Sequence, residues 1–206
     1  MDKLKLVLCF MLFFIQREAK SQNLFCEING NFINNTAYNY VYLVDLKTKD
    51  VLHSKITNGN FTFKLTQPKE FRIMHIFLEY DSLKEISYFL ERSKSRSSSS
   101  RMVALENMTV TIASDVKYAT VKGGPLNKDI DDMNSAISSS SYDEYFETHR
   151  STPVSLRLLN TLVSVSKIAG LEGRINVKSL FFKLTDSLQS STEGLKIAKE
   201  IEATKP

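Results

Sequence analysis

The chain has 206 residues, 42% hydrophobic and 24% charged, with seven glycines and four prolines. That balance fits a globular chain of one or two domains and excludes a low-complexity one. The formal charge of +4 is modest, and the two cysteines form no Cys-x-x-Cys pair, so no dithiol centre is encoded.

The first 21 residues read as a secretory signal peptide. Lys3 and Lys5 precede an unbroken apolar run from Leu6 to Ile15, and Ala19-Lys20-Ser21 places small residues where a signal peptidase reads. A helix needs about 20 apolar residues to cross a bilayer comfortably. The run is shorter, which favours cleavage over the rival reading of an uncleaved anchor. Cys9 lies inside the run rather than after it, which disfavours a lipoprotein box. Residues 1–21 carry four cations and two carboxylates, so cleavage leaves +2 and a lone Cys26. No basic footprint for nucleic acid remains. The expected location is the periplasm or cell envelope, and the cleaved chain is not expected to be an integral membrane protein.

From Leu24 the apolar period is two. Leu24, Cys26 and Ile28 alternate, followed by Tyr40, Tyr42, Val44 and Leu46, and then by the run Val51–Ile56. Asn58-Gly59 joins that run to Phe61, Phe63 and Leu65, and Asn-Gly between alternating runs predicts a hairpin with a type I′ turn. After Pro68, Phe71–Tyr80 and Ile86–Leu90 read as two further strands. Ser93–Arg101, basic and serine-rich, reads as a mobile loop. Val103–Leu105, Met108–Ala113 and Tyr118–Val121 complete an antiparallel set of eight or nine short strands, consistent with a β-sandwich or open barrel.

Gly123-Gly124-Pro125 is a hard stop, after which the period becomes helical. Leu126, Ile130, Met133 and Ile137 form one stripe, Ser138–Ser141 interrupts it, and Tyr142–His149 reads as a short helix. Ser151-Thr152-Pro153 opens the next helix with a hydroxyl cap and a first-turn proline. Another helix begins near Asn176, and Ser190 to Glu193 has the spacing of a capping box for the last. The expected class is α+β: a β-sandwich over residues 22–125, then a helical segment over 126–206.

Several pieces of this chain, in this order, resemble a known module. They are Ile28-Asn29-Gly30, Val41-Tyr42-Leu43, Ile56–Phe63, Leu105-Glu106-Asn107 with Val110-Thr111-Ile112, and Val121–Asn127, followed by Ser155-Leu156 and the closing helix Leu188–Ile201. The chain resembles the N-terminal domain of unknown function, with its helical connector, of Gram-negative periplasmic TlpA/ResA-type thiol–disulfide oxidoreductases. In those relatives a thioredoxin-like domain with a Cys-x-x-Cys pair follows. No catalytic residue of the family has a counterpart here. The resemblance implies a non-catalytic envelope accessory module. The alternative is a truncated or split oxidoreductase whose catalytic domain lies outside this chain.

Among single residues, Cys26 is the candidate reactive thiol, though its alternation with Leu24 and Ile28 suits a buried strand cysteine better. Tyr40 and Tyr42 are the candidate binding face for a peptide, glycan or envelope protein, against the plainer reading of cross-strand packing. His53, His75 and His149 share no metal-site spacing, and Asp129-Ile130-Asp131-Asp132 is explained by the positive end of a helix dipole. No metal, no cofactor and no enzymatic activity are expected.

Overall fold

The computed structural model describes residues 25–82, 84–95, 99–168 and 175–203. The expected signal peptide, residues 1–21 with Cys9, lies outside them. Eight strands form two open four-stranded sheets. Sheet A has the order β4-β1-β7-β8, from Asn60–Thr66, Phe25–Phe32, Met108–Ile112 and Thr120–Lys122. Sheet B has the order β3-β2-β5-β6, from Val51–Lys55, Tyr40–Val44, Ile73–Glu79 and Arg101–Ala104. All pairings are antiparallel except β1 with β7, which is parallel.

The alternation legible in the sequence decides how the sheets stack. Cys26 and Ile28 of β1, Phe61 and Phe63 of β4 and Val110 of β7 point inward. They share one core with Val41 and Leu43 of β2 and with Met74 and Ile76 of β5. The fold is therefore α+β, with a sandwich rather than a closed barrel.

The Asn58-Gly59 turn forms as expected, with φ of 51° and 73°. The strands it joins do not make a hairpin beyond the single Thr57–Asn60 bridge. β3 pairs with β2 and β4 with β1, so the turn carries the chain from one sheet to the other. Burial drives the separation: Phe61 and Phe63 enter the inter-sheet core, whereas Val51 packs on the outer face of sheet B.

Ile86–Leu90 is helical rather than a strand. Helix α1 runs from Ile86 to Lys94 and lays Phe89 on Tyr42 and Phe77, with ring centroids 4.9 and 5.0 Å away. Burying a phenyl ring this fully stabilises by about 1.5–3 kcal/mol. Arg92 and Lys94 complement the negative end of the helix, and Arg92 also pairs with the buried Glu79 of β5. The expected serine loop is correspondingly shorter. Ser93 and Lys94 belong to α1, Arg101 begins β6, and residues 96–98 lie outside the described set. Tyr118 closes a 3₁₀ turn over Val116–Tyr118 instead of opening the last strand.

Six further helices follow: α2 (Pro125–Ser139), α3 (Tyr142–Thr148), α4 (Pro153–Ser166), α5 (Val177–Lys183), α6 (Asp186–Gln189) and α7 (Thr192–Ala203). Thr152 caps α4 through the Val154 N–H, as its sequence predicts. The stretch expected as one helix from Asn176 breaks into α5 and α6. Ser191, not Ser190, accepts from Gly194 N–H at the start of α7. These helices enclose their own core, built on Ile130, Phe146, Leu158, Leu159 and Ile197. It reaches the sandwich through Ala104 and Met102 of β6, which face the helices while Val103 between them faces the sheets.

The joint is made at α2. The side chain of Asn127, 3% exposed, pairs with both backbone groups of Ala104. Its Oδ1 accepts from Ala104 N–H at 2.9 Å and its Nδ2 donates to Ala104 O at 3.1 Å. The Glu106 carboxylate accepts from Asn127 N–H at 2.7 Å and from Asn127 Nδ2 at 2.9 Å. It occupies the space where a side chain on Gly124 would begin, and Gly124 has φ of 76°. The glycine before Pro125 is thus required twice, by conformation and by the carboxylate above it.

His75 sits on β5, against the helical side of sheet B. Burial, with the positive charge of Arg157, pushes its pKa down to about 4, while Asp45 pulls the other way. The unfolded chain titrates near 6.5. Between those values the unfolded state binds a proton that the folded state refuses, so this contribution to stability is intact above pH 6.5 and lost as the pH falls toward 4. The loss amounts to on the order of 3 kcal/mol. Urea unfolding at pH 7 and pH 5 is expected to show a smaller loss of stability in His75→Gln than in the native chain. Equal losses would contradict the assignment.

Candidate functional site

Two surfaces combine accessible polar chemistry with defined geometry. The first is the outer face of sheet A, which follows from the period of two: as alternate residues enter the core, the others line up across four strands. One row reads Thr62–Asn29–Thr109–Lys122 and the next Asn60–Asn31–Thr111–Thr120. Thr62 Oγ1 donates to Asn29 Oδ1 at 2.9 Å, and Thr111 Oγ1 to Asn31 Oδ1 at 3.0 Å. Beside the first row, Lys64 and Glu27 lie 3.7 Å apart. A shallow groove of about 590 Å³ runs along this face, lined by Phe25, Glu27, Asn29, Lys64, Asn107 and Lys122. Phe25, 63% exposed, supplies its apolar end. The outer face of sheet B, by contrast, is covered by α1 at Tyr42, Val44 and Phe77.

The second lies between α2 and α3. Asp129 and Asp132, three residues apart, share one side of α2. His149, at the C-terminal end of α3, brings Nε2 to 3.1 Å from Asp132 Oδ2 and 3.7 Å from Asp129 Oδ1. One ligand atom from each of the three lies within 4.8 Å of the others. His149 Nδ1 is engaged by Thr148 Oγ1 at 2.8 Å and Tyr145 O at 3.2 Å. The Tyr145 ring stacks on the imidazole at 4.4 Å, nearly parallel. Lys128 Nζ stands 2.5 Å from Asp132 Oδ2. That contact, more than the hydrogen bond from His149, holds the Asp132 carboxyl below its usual range against the opposing effect of burial. Burial pushes the Tyr145 hydroxyl up to about 12; Ser155 lowers it, and Asp129 and Asp132 raise it further.

The residues singled out in the sequence are dispersed. Cys26 is 1% exposed in the inter-sheet core, and burial, then the Glu106 charge, pushes its thiol up. Tyr42 offers no binding face: it is fully buried beneath α1, with its hydroxyl donating to Asp81 O at 3.0 Å. Tyr40 is half-buried beside it and packs edge-on to His53. The tyrosine row is thus the cross-strand packing that its alternation suggested as the plainer reading. His53 and His75 do not meet, because β2 lies between their strands. Of the acidic run, Asp131 turns to Arg101 of β6, leaving Asp129 and Asp132 for His149. Ser138 and Ser139 belong to α2, and Ser140 ends it in the left-handed conformation.

The juxtaposition of Asp129, Asp132 and His149 escapes the sequence because the partners come from two helices. Local hints exist in the Asp-x-x-Asp and Tyr-x-x-x-His spacings, each of which places two residues on one helical face. Among the described residues no helix is long and apolar enough to cross a membrane. Comparison with protein-family models, curated proteins and solved structures finds no match.

The Cys26 environment sets its reactivity, since the thiolate is the attacking species. Native protein is expected to react with a thiol reagent at least about a hundredfold more slowly than the denatured chain, because opening of the sandwich must precede attack. Labelling at similar rates in both states would show the thiol to be accessible.

Proposed function

We propose that the chain is a non-catalytic binding module of the cell envelope, and that its ligand is a glycan held on the outer face of sheet A. The observation that carries this reading is the pair of amide and hydroxyl rows on a sheet face left exposed. Sugars present hydroxyls that both donate and accept, and Asn and Thr side chains answer in both senses. The Phe25 ring at one end suits the apolar face of a pyranose. Glu27 and Lys64 largely offset one another, so the face carries little net charge beyond Lys122. The signal-like start and the resemblance to the accessory domain of TlpA/ResA-type oxidoreductases support an exported location, where polysaccharide is abundant.

Retention of the purified protein on insoluble envelope polysaccharide, followed by titration with soluble oligosaccharides, tests this. Phe25→Ala and Asn29→Ala are expected to weaken binding by about tenfold each, the scale of one lost apolar or polar contact of 1–2 kcal/mol. Both positions are exposed, so the melting temperature should stay unchanged. Failure to bind any glycan, or binding untouched by the double variant, would overturn the reading. Retention of a peptide in place of a glycan would overturn the ligand class.

A further inference from the structure

We propose that Asp129, Asp132 and His149 form a binding site for one divalent metal ion of the zinc class. The argument begins with the imidazole. Thr148 Oγ1 lies 3.1 Å from both Glu144 O and Tyr145 O and donates its hydrogen there. It therefore meets His149 Nδ1 as an acceptor, and Tyr145 O is an acceptor as well. Nδ1 carries the hydrogen. Nε2 then faces two carboxylate oxygens, a set satisfied either by a second ring proton or by a metal ion held between the three groups. A backbone carbonyl fixing one ring nitrogen while the other faces outward is also the usual support for a metal-binding histidine.

The distances suit a small ion. With bonds of about 2.0–2.2 Å to nitrogen and oxygen, tetrahedral ligands stand about 3.3 Å apart. The separations of 3.1 and 3.7 Å from Nε2 to the two aspartates lie on either side of that value. One imidazole with two carboxylates favours zinc or a neighbouring transition metal over magnesium, which selects oxygen ligands in octahedral geometry.

A second observation points into the same place. Tyr145 is 4% exposed, and among the described residues its buried hydroxyl oxygen meets no group at hydrogen-bonding geometry, although the Ser155 hydroxyl lies close enough to lower its pKa. The neighbouring Ser155 hydroxyl is committed to His149 O at 2.6 Å. The Tyr145 ring lies flat on the imidazole and its hydroxyl feels the charges of Asp129 and Asp132. A buried polar group without a well-placed partner is costly. Water on a metal held by the three ligands would give the hydroxyl the partner it lacks. Lys128, the other charged group at Asp132, competes with the metal for that carboxylate.

Titration of tag-free full-length protein with zinc chloride and with magnesium chloride tests the site, with the visible d–d absorption of bound Co²⁺ as a spectroscopic readout. One equivalent of zinc is expected, bound at least about tenfold more tightly than magnesium. Asp132→Asn and His149→Gln should each weaken it by more than about tenfold, with loss of the Co²⁺ spectrum. Lys128→Ala should tighten it, whereas a merely structural ion-pair cluster would gain no metal affinity from that change. Should the ligand variants fail to fold, the native Co²⁺ spectrum and the exposed Lys128→Ala variant still decide. Absence of zinc uptake at millimolar concentration, or uptake unchanged in the Asp129→Asn/His149→Gln double variant, would overturn the proposal.

Discussion

The structure depends on the pairing of one amide side chain with the backbone of one residue. β6 is an edge strand, and at Ala104 the N–H that turns away from β5 would be left without a partner where the helices bury it. Asn127 supplies the acceptor for Ala104 N–H and a second donor to Ala104 O, which also accepts from Glu106 N–H at 3.0 Å, and so acts as a one-residue continuation of the sheet. Glu106 holds Asn127 by its backbone and its side chain, and places a negative charge where the N-terminal N–H groups of α2 are exposed. The Glu106 carboxylate fits there only because residue 124 lacks a side chain. The Gly-Gly-Pro-Leu-Asn stretch is thus the fitting that fixes the helical segment to the sandwich.

That joint also determines which surfaces remain free. With α2 seated on β6 and α1 seated on β2 and β5, the outer face of sheet B is covered over these three strands. Two buried carboxylates beside it are neutralised locally, Asp45 by Arg72 and two backbone N–H groups, Glu79 by Arg92. Sheet A keeps its outer face open, and there amides and hydroxyls stand in two rows beside Phe25, the Glu27–Lys64 pair and Lys122. The same joint directs α2: with Asp131 drawn to Arg101 of β6, Asp129 and Asp132 meet α3 and His149. The two candidate surfaces are consequences of one anchoring point.

Much of this was legible in the sequence, for physical reasons that differ by element. Alternation at Cys26–Ile28 and Phe61–Phe63 reported inward-facing positions, because a strand with one solvated face can bury only every second residue. Asn58-Gly59 reported a left-handed turn, since few other pairs accept positive φ twice. It could not report which sheet each arm joins, a choice made by long-range pairing. Ile86–Leu90 reads as a strand but folds as a helix, since five mostly apolar residues fit either period and the deciding contact, Phe89 on Tyr42 and Phe77, spans distant segments. The same contact removed Tyr42 from the surface. The acidic run at Asp129 is fully accounted for by helix electrostatics when seen alone, and only tertiary packing adds His149. In the Val121–Asn127 stretch, the geometry of Asn127, Glu106 and Gly124 gives the order of residues a physical reason.

The central claim is that the Asn127 side chain welds the helical segment to the sandwich. Native-state hydrogen exchange at the Ala104 amide, whose N–H donates to Asn127 Oδ1, tests it most directly. The account predicts that this amide exchanges only with global unfolding, at the rate of the innermost amides of β5, and that Asn127→Ala releases it to fast local exchange together with the amides of α2. An Ala104 amide that exchanges rapidly in the native chain, or one whose protection survives Asn127→Ala, would contradict it.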